Sequence, residues 1–303
     1  MSAKFESFSY SVITPYYSKV EKEHFIRSIE SGLRQTIPPK EVILVQDGPV
    51  PDVLKEVSNF YLKKHPDIFK LVVLEENSGS GIARREAVLA SITDWIAPLD
   101  ADDVVVSNRI EIEYNKLCED PELDIISSVY CEFSGKAENV VLRHSPESQE
   151  ELIKYAKRQN PFGHSSMLIR KSKILEVGNY RKYNLCEDYD LWIRMLIAGA
   201  KCYNFQIPLT YLRANEDYYN RRNGLTYLKV IMGFLNEHRK AGFFSTKEFI
   251  VTATMRCTVY LLPLSFRKFI YRRMLRKNIA TEMNDNHREL KEIEEIDFRN
   301  IKE

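Results

Sequence analysis

Three carboxylates, Asp100, Asp102 and Asp103, stand within four positions of the stretch WIAPLDADDVVV, directly behind an apolar lead-in. Like charges held that close repel one another unless a cation, a helix N-terminus or water offsets them. Only Ala101 separates Asp100 from Asp102, and an i, i+2 spacing in extended chain turns both side chains to one side. Two such carboxylates suit Mg2+ or Mn2+, hard ions that take oxygen ligands and share their coordination with substrate phosphates. Taken alone, the string also fits a surface cluster that caps a helix starting near Ser107. A second acidic group, Glu187 and Asp188 in CEDYDLW, offers a general base for a hydroxyl within hydrogen-bond reach. Spacing alone leaves it equally open as a pair of charges complementing a helix dipole.

The elements that must carry these acids alternate between two periods. YSVITP is a short β-rich run, and EKEHFIRSIESGLRQT sets Phe25, Ile29 and Leu33 one helical turn apart. EVILVQD, FKLVVLE and WIAPL repeat the strand pattern, with the helical patterns PDVLKEVSNFYLKKH and SGIARREAVLASI between them. Apolar strands joined by helices predict an α/β fold with a parallel sheet covered on both faces. Ligands of such sheets bind beyond the carboxyl ends of the strands. Those ends carry Thr14, Pro15 and Tyr16, then Asp47, then Glu75 to Gly81, then Asp100 to Asp103. Further on, LDIISSVYCEF and SSMLIRK read as strands and CEDYDLWIRMLIAG as a helix. From about Asn220 the pattern is almost wholly helical, which sets an expected boundary between an α/β body, 1–219, and a helical region, 220–303.

The composition is that of a globular chain: 303 residues, 44% hydrophobic and 29% charged. The net charge of +1 gives no global attraction to polyanions, so nucleic acid is not an expected partner. Five scattered cysteines without a C-x-x-C pair point to a reducing, cytoplasmic setting, and no secretory signal is visible at the N-terminus. The best apolar run, Cys257 to Phe266, is only half of the ~20 residues a membrane span needs. Charge is uneven, however. No acid occurs between Glu248 and Glu282, while Arg267, Lys268, Arg272, Arg273, Arg276 and Lys277 interleave with Phe266, Phe269, Ile270 and Met274. A basic amphipathic helix over 264–277 reads as a contact for an anionic membrane surface, or as a helix packed on the body with its charges in water.

SVITPYY, VILVQDG, ENSGSGIARREAVLAS, WIAPLDADD and EDYDLWIRML, in that order, resemble the bacterial family-2 glycosyltransferases. The resemblance runs from Ser9 to Arg213. It implies a GT-A fold, a Rossmann-like mostly parallel sheet flanked by helices. It also implies inverting, metal-dependent transfer of a hexose from a UDP-sugar, with Mn2+ or Mg2+ as cofactor. The implied acceptor is a saccharide linked to undecaprenyl diphosphate, met at the inner face of the cytoplasmic membrane. Residue by residue, Thr14, Pro15 and Tyr16 would line the nucleotide pocket and Asp47 would bind uracil or ribose. Gln46 stands where relatives often carry a second acid. Asn77, Gly81 and Arg84 would support the nucleotide, and Asp100 with Ala101 would meet the sugar or ribose. Asp102 would hold the metal and Asp103 the metal shell or the donor sugar, and Asp188, with Glu187 beside it, would be the base. The Q-x-x-R-W signature of processive synthases is missing, so one sugar per encounter is expected.

Other residues carry weaker signals. His164 and Arg213 are expected near the acceptor or diphosphate, each also readable as structural. Trp192, four residues past Asp188, is a further acceptor-side candidate. The six histidines contain no H-x-x-x-H pair, so a zinc site lacks support. Gly79 and Gly81 form part of a dinucleotide fingerprint, but Arg84 replaces its third glycine, which argues against a Rossmann oxidoreductase. A nucleotidyltransferase would carry a Gly-rich loop where this chain has TPYYSKVE, and a non-catalytic binding module would not need both acidic groups.

Overall fold

Tyr10–Tyr16, a β-branched and aromatic run buried except at Pro15, forms the central strand β1. The computed structural model describes residues 8–134, 136–183, 185–214, 224–261 and 276–278. After β1 come α1 (Lys22–Leu33), β2 (Glu41–Asp47), α2 (Asp52–Lys64), β3 (Phe69–Leu74), α3 (Ser80–Ala90) and β4 (Trp95–Pro98). Then follow β5 (Val104–Val105), α4 (Arg109–Glu119), β6 (Ile125–Ser128), β7 (Tyr130–Ser134), β8 (Lys136–Arg143) and α5 (Gln149–Ala156). A 3-10 turn at His164–Ser166 leads into β9 (Met167–Arg170), α6 (Lys171–Glu176), α7 (Glu187–Ile197), β10 (Cys202–Phe205) and β11 (Thr210–Arg213). The C-terminal described elements are α8 (Gly224–Lys240), α9 (Thr246–Leu261) and β12 (Arg276–Asn278).

The larger sheet has the order β10-β6-β9-β4-β1-β2-β3. β3, β2, β1 and β4 run parallel, whereas β9 is antiparallel to both β4 and β6, pairing Ile169 with Ile96 and Ile125. This is the mixed α/β architecture expected from the alternating pattern, with α3 and α7 against one face and α1 and α2 against the other. β3 lies at the edge, so Val73 is exposed and its apolar run is not covered on both faces.

The run LDIISSVYCEF is two strands rather than one. It breaks at Val129, whose amide donates to Phe205 O, and β6 stays in the large sheet while β7 enters a second one of order β12-β8-β7-β11-β5. The chain thus turns from one sheet to the other behind the Asp100–Asp103 turn, and β5 pairs with β11 there.

α8 is part of the body's core. Its Tyr227, Ile231, Phe234 and Leu235 join the cluster that holds Leu191, Trp192 and Ile193 of α7 and Ala83 and Ala87 of α3. Buried His238 of α8 sits 3.2 Å from Asp190 of α7, which also pairs with Arg194 at 2.7 Å. The expected boundary at 219/220 and most of the basic stretch 264–277 lie outside the described residues. Arg276–Asn278 form β12, antiparallel to β8, so the end of that stretch is strand and not helix. Among the described residues no helix is long and apolar enough to cross a membrane.

Candidate active site

The carboxyl end of β4 and the start of α7 converge on one arginine. Arg84, on the buried side of α3, donates through Nη2 to Asp100 Oδ1 at 2.7 Å and through Nη1 to Glu187 Oε1 at 2.9 Å. Burial opposes the charge on Asp100, but Arg84 and then His164 hold its carboxyl well below the usual range. The same two acids push the Arg84 guanidinium further up than its burial lowers it. Glu187 also accepts from Ser80 Oγ at the start of α3. α3 can come this close because position 81 is glycine: a Cβ there would stand 2.4 Å from Arg181 O and 3.1 Å from Glu187 Cβ.

Asp188 lies one residue into α7, half-buried. Its Oδ1 accepts from Tyr189 N at 2.7 Å and its Oδ2 from Asn160 Nδ2 at 2.8 Å. Burial and the neighbouring Glu187 charge raise its pKa, against the pull of His164 and Arg84. Glu187, Asp188 and Asp190 do fall in the first turn of α7, so the dipole reading holds as geometry. It does not account for a half-buried acid with a raised pKa, which suits a base.

The three acids of the opening motif divide their work. None caps α4, whose N-cap Asn108 makes no side-chain cap bond, and β5 intervenes. Asp103 is buried, with Oδ2 accepting from Ser165 Oγ and Oδ1 from Arg213 N at 2.9 Å. Burial, then the charges of Asp102 and Asp100, push its carboxyl well up. The resemblance places Asp103 at the metal; in the structure its oxygens tie β11 and the 3-10 turn to the motif. Asp100 and Asp102 remain partly exposed, and Ala101 is buried in the core, lending backbone only.

The 3-10 turn brings the expected His164 to the site together with Ser165, which was not expected. Asp100 N donates to Ser165 Oγ at 3.0 Å, and His164 Nδ1 lies 3.4 Å from Asp100 Oδ1 while Nε2 meets Tyr180 OH at 2.9 Å. Arg109 of α4 holds the turn from below, donating to the carbonyls of Ser165 and Met167 and pairing with Glu113 at 3.1 Å.

Other expected contacts are re-assigned. Tyr16 is buried, its ring stacked on Phe25 at 4.6 Å and its hydroxyl 3.1 Å from Ser58 Oγ, so it packs the core and does not line a pocket. Thr14 is also buried, and Pro15 is partly exposed. Trp192 is wholly buried among Phe162, His164 and Tyr180, so it is no acceptor contact. Arg213 is buried too, with Nε donating to Asp102 O at 3.2 Å and its guanidinium 4.4 Å from the Phe133 ring. Asp47 accepts from Ser78 N at 2.7 Å and Gly79 N at 3.0 Å, so its carboxylate shapes the turn before α3, where Asn77 Nδ2 donates to Asp47 O. The two segments touch because Gly48, at φ +78°, leaves no Cβ to strike Asn77 N. Ser80, Asn160, Ser165 and Tyr180 were not foreseen. Ser165 and Asn160 lie in NPFGHSS, where a helix-breaking proline and glycine flank a lone histidine, the one local signal that could have found them.

Among the described residues no three His, Cys, Asp or Glu side chains are grouped to hold an ion by themselves. A divalent ion shared with a diphosphate needs only one or two carboxylates. Asp102, an oxygen donor on the partly exposed side of the turn, fits that lesser requirement.

Comparison with known proteins bears on the family and the fold. The sequence model described as Glycosyl transferase family 2 matches residues 11–178. A UDP-Gal:alpha-D-GlcNAc-diphosphoundecaprenol beta-1,3-galactosyltransferase of Escherichia coli is 29% identical over 269 residues, spanning 88% of this chain and 97% of that one. An amylovoran biosynthesis glycosyltransferase of Erwinia amylovora is 28% identical over 265 residues, 86% of this chain and 97% of its own. Among solved structures, S. aureus TarS 1–349 in complex with UDP-GlcNAc superposes with a TM-score of 0.54 at 15% identity, over 86% of this chain and 84% of that one. The mannosyltransferase PcManGT from Pyrobaculum calidifontis, in complex with GDP-Man and Mn2+, gives 0.57 at 15% identity, over 86% and 72%.

Proposed function

The chain belongs to glycosyltransferase family 2, and on that footing we propose that it transfers one hexose, with inversion, from a UDP-sugar to a lipid-linked saccharide acceptor. The observation that carries this reading is the Arg84 bridge: it joins Asp100, on the strand-end side, to Glu187, whose neighbour Asp188 has the raised pKa of a base. The UDP-sugar and the diphosphoundecaprenol-linked acceptor come from the E. coli relative's activity and are assigned here by that likeness.

Asp188 takes the proton of the acceptor hydroxyl. Each of its oxygens accepts one protein hydrogen bond and keeps a second lone pair for that proton. The hydroxyl oxygen bonds to the anomeric carbon as the bond to the diphosphate breaks, and UDP departs from the opposite face. One base and one displacement invert the centre. Arg84 fixes Asp100 so that it can orient the donor sugar or ribose, and Asp47 holds the turn in front of α3. Asp102 is the residue that would hold Mn2+ or Mg2+ together with the donor phosphates, and the bound ion would neutralise charge on the leaving diphosphate.

The C-terminal region, 220–303, is assigned to a peripheral contact with an anionic membrane at its inner face. Ile250, Val251 and Met255 are exposed on one face of α9, and the chain that follows is basic through Lys277. Salt-sensitive binding to anionic liposomes is the expected result. No binding at low salt would remove the contact.

A screen of UDP- and GDP-sugars, with Mn2+ and with EDTA, tests the enzymatic reading. One UDP-hexose should be consumed with Mn2+ and none with EDTA. Turnover indifferent to EDTA would remove the metal, and consumption of a GDP-sugar alone would remove the donor class.

A further inference from the structure

The proposed base has a neutral neighbour that comes from outside both acidic groups. Asn160 donates through Nδ2 to Asp188 Oδ2 at 2.8 Å, and its Oδ1 accepts from Phe162 N at 3.4 Å. With Tyr189 N on Oδ1, the carboxylate is gripped by one donor on each oxygen. Without Asn160 it would keep a single anchor and could swing about its own Cβ–Cγ bond.

The loop that presents Asn160 is itself tied down. α9 reaches it three times: Thr252 Oγ1 donates to Lys157 O at 3.0 Å, Arg256 Nη2 donates to Arg158 O at 2.8 Å, and Glu248 pairs with Lys157 Nζ at 2.7 Å. From the opposite side Tyr189 OH donates to Ala156 O. Carbonyls of a connecting loop ordinarily face water. Here two consecutive ones are taken by side chains of a helix that lies beyond the family match at 11–178.

We infer that Asn160 is a positioning residue for the base, and that α9 holds the loop that aims it, so the C-terminal helical region tunes proton transfer without touching substrate. This rests on Asp188 being the base. A donor to the ionised form favours that form and fixes its direction, and an amide does so without a charge of its own that pH could change. The charged and titratable groups facing Asp188 are Glu187 and Tyr189 on its own helix, His164 from the 3-10 turn, Arg84 from α3 and Tyr180 ahead of α7. Asn160 is the amide donor among them.

The test uses the full chain with Asn160→Ala and Asn160→Ser, measuring UDP binding by calorimetry and kcat against pH with the nucleotide sugar the screen selects. Both variants should bind UDP within about twofold of the parent, with kcat about 10- to 100-fold lower, the scale of one charge-assisted hydrogen bond. The acidic limb of kcat should move up by about one pH unit, since the carboxylate loses a donor that favours its charge. The double substitution Thr252→Ala, Arg256→Ala should move both readouts the same way by less. If the alanine variant does not fold, the serine variant decides. Parental kcat and limb in a folded variant would overturn the inference, and so would a lower kcat with an unmoved limb. Asp188→Asn separates the two readings. An active Asp188→Asn enzyme removes the base itself, whereas an inactive one beside normal Asn160 variants removes only this inference.

Discussion

Arg84 donates to Asp100 across 2.7 Å with only 8% of the arginine side chain exposed, and the same guanidinium reaches Glu187. One buried cation therefore joins the end of the fourth strand to the start of α7. Removing it leaves two carboxylates facing each other in a poorly hydrated site. Arg84→Met should cost about 3–5 kcal/mol in urea unfolding, as expected when a buried ion pair loses one partner. It should also slow transfer on the order of a hundredfold by misplacing Asp100 and Glu187. Arg84→Lys restores the charge but not the fork, so it should recover stability more than rate.

Glu113 gives a pH-dependent prediction apart from catalysis. It is wholly buried, and burial outweighs its pairing with Arg109, so its carboxyl is pushed up to about 7. The unfolded chain releases this proton in the ordinary carboxylate range, so the folded protein holds the extra proton between that range and about 7. The contribution to stability is full at low pH and is lost as pH rises through about 7. Unfolding midpoints should fall over that window, and Glu113→Gln should flatten the slope. An equally steep slope in the variant would contradict the assignment.

Trp192 separates packing from recognition. It is wholly buried against His164 and Tyr180, and truncation to alanine should cost about 3–5 kcal/mol. Trp192→Phe should fold and keep the acceptor KM of the parent. An acceptor KM raised tenfold in that variant, without a stability change, would return Trp192 to the acceptor side.

Asp47 should act on the donor through the turn it holds. Asp47→Ala leaves the amides of Ser78 and Gly79 without their acceptor, which loosens the start of α3. UDP affinity should drop about tenfold, in line with the loss of a hydrogen-bonded charge. The melting temperature should change less than in Arg84→Met.

The alternation of strands and helices through WIAPL was legible because its signals are local: apolar runs, helical spacing and acids at strand ends. Asp100, Arg84, Glu187 and Asp188 were legible as candidates through their motifs, but the Arg84 bridge between the two acidic groups was not. Which side of the chain each residue faces was not. Position at a strand end does not separate Pro15, partly exposed, from Tyr16, which the pleat turns into the core against Phe25. Nor does the string DADD tell that Asp103 points inward, because its partners Ser165 and Arg213 come from segments far along the chain. Asn160 sits in a loop with no period to read, and the break at Val129 depends on which sheet each half joins.

Asp188→Asn tests the central claim most directly, with transfer and UDP binding measured on the same preparation. The account predicts UDP affinity within about twofold of the parent and a kcat lowered by about 100-fold or more, the scale of general-base catalysis. The parent's acidic limb should lie above the usual carboxylate range, because burial and Glu187 raise this acid and only its ionised form can take the proton. A variant that turns over near the parental rate, with the same limb, would contradict it.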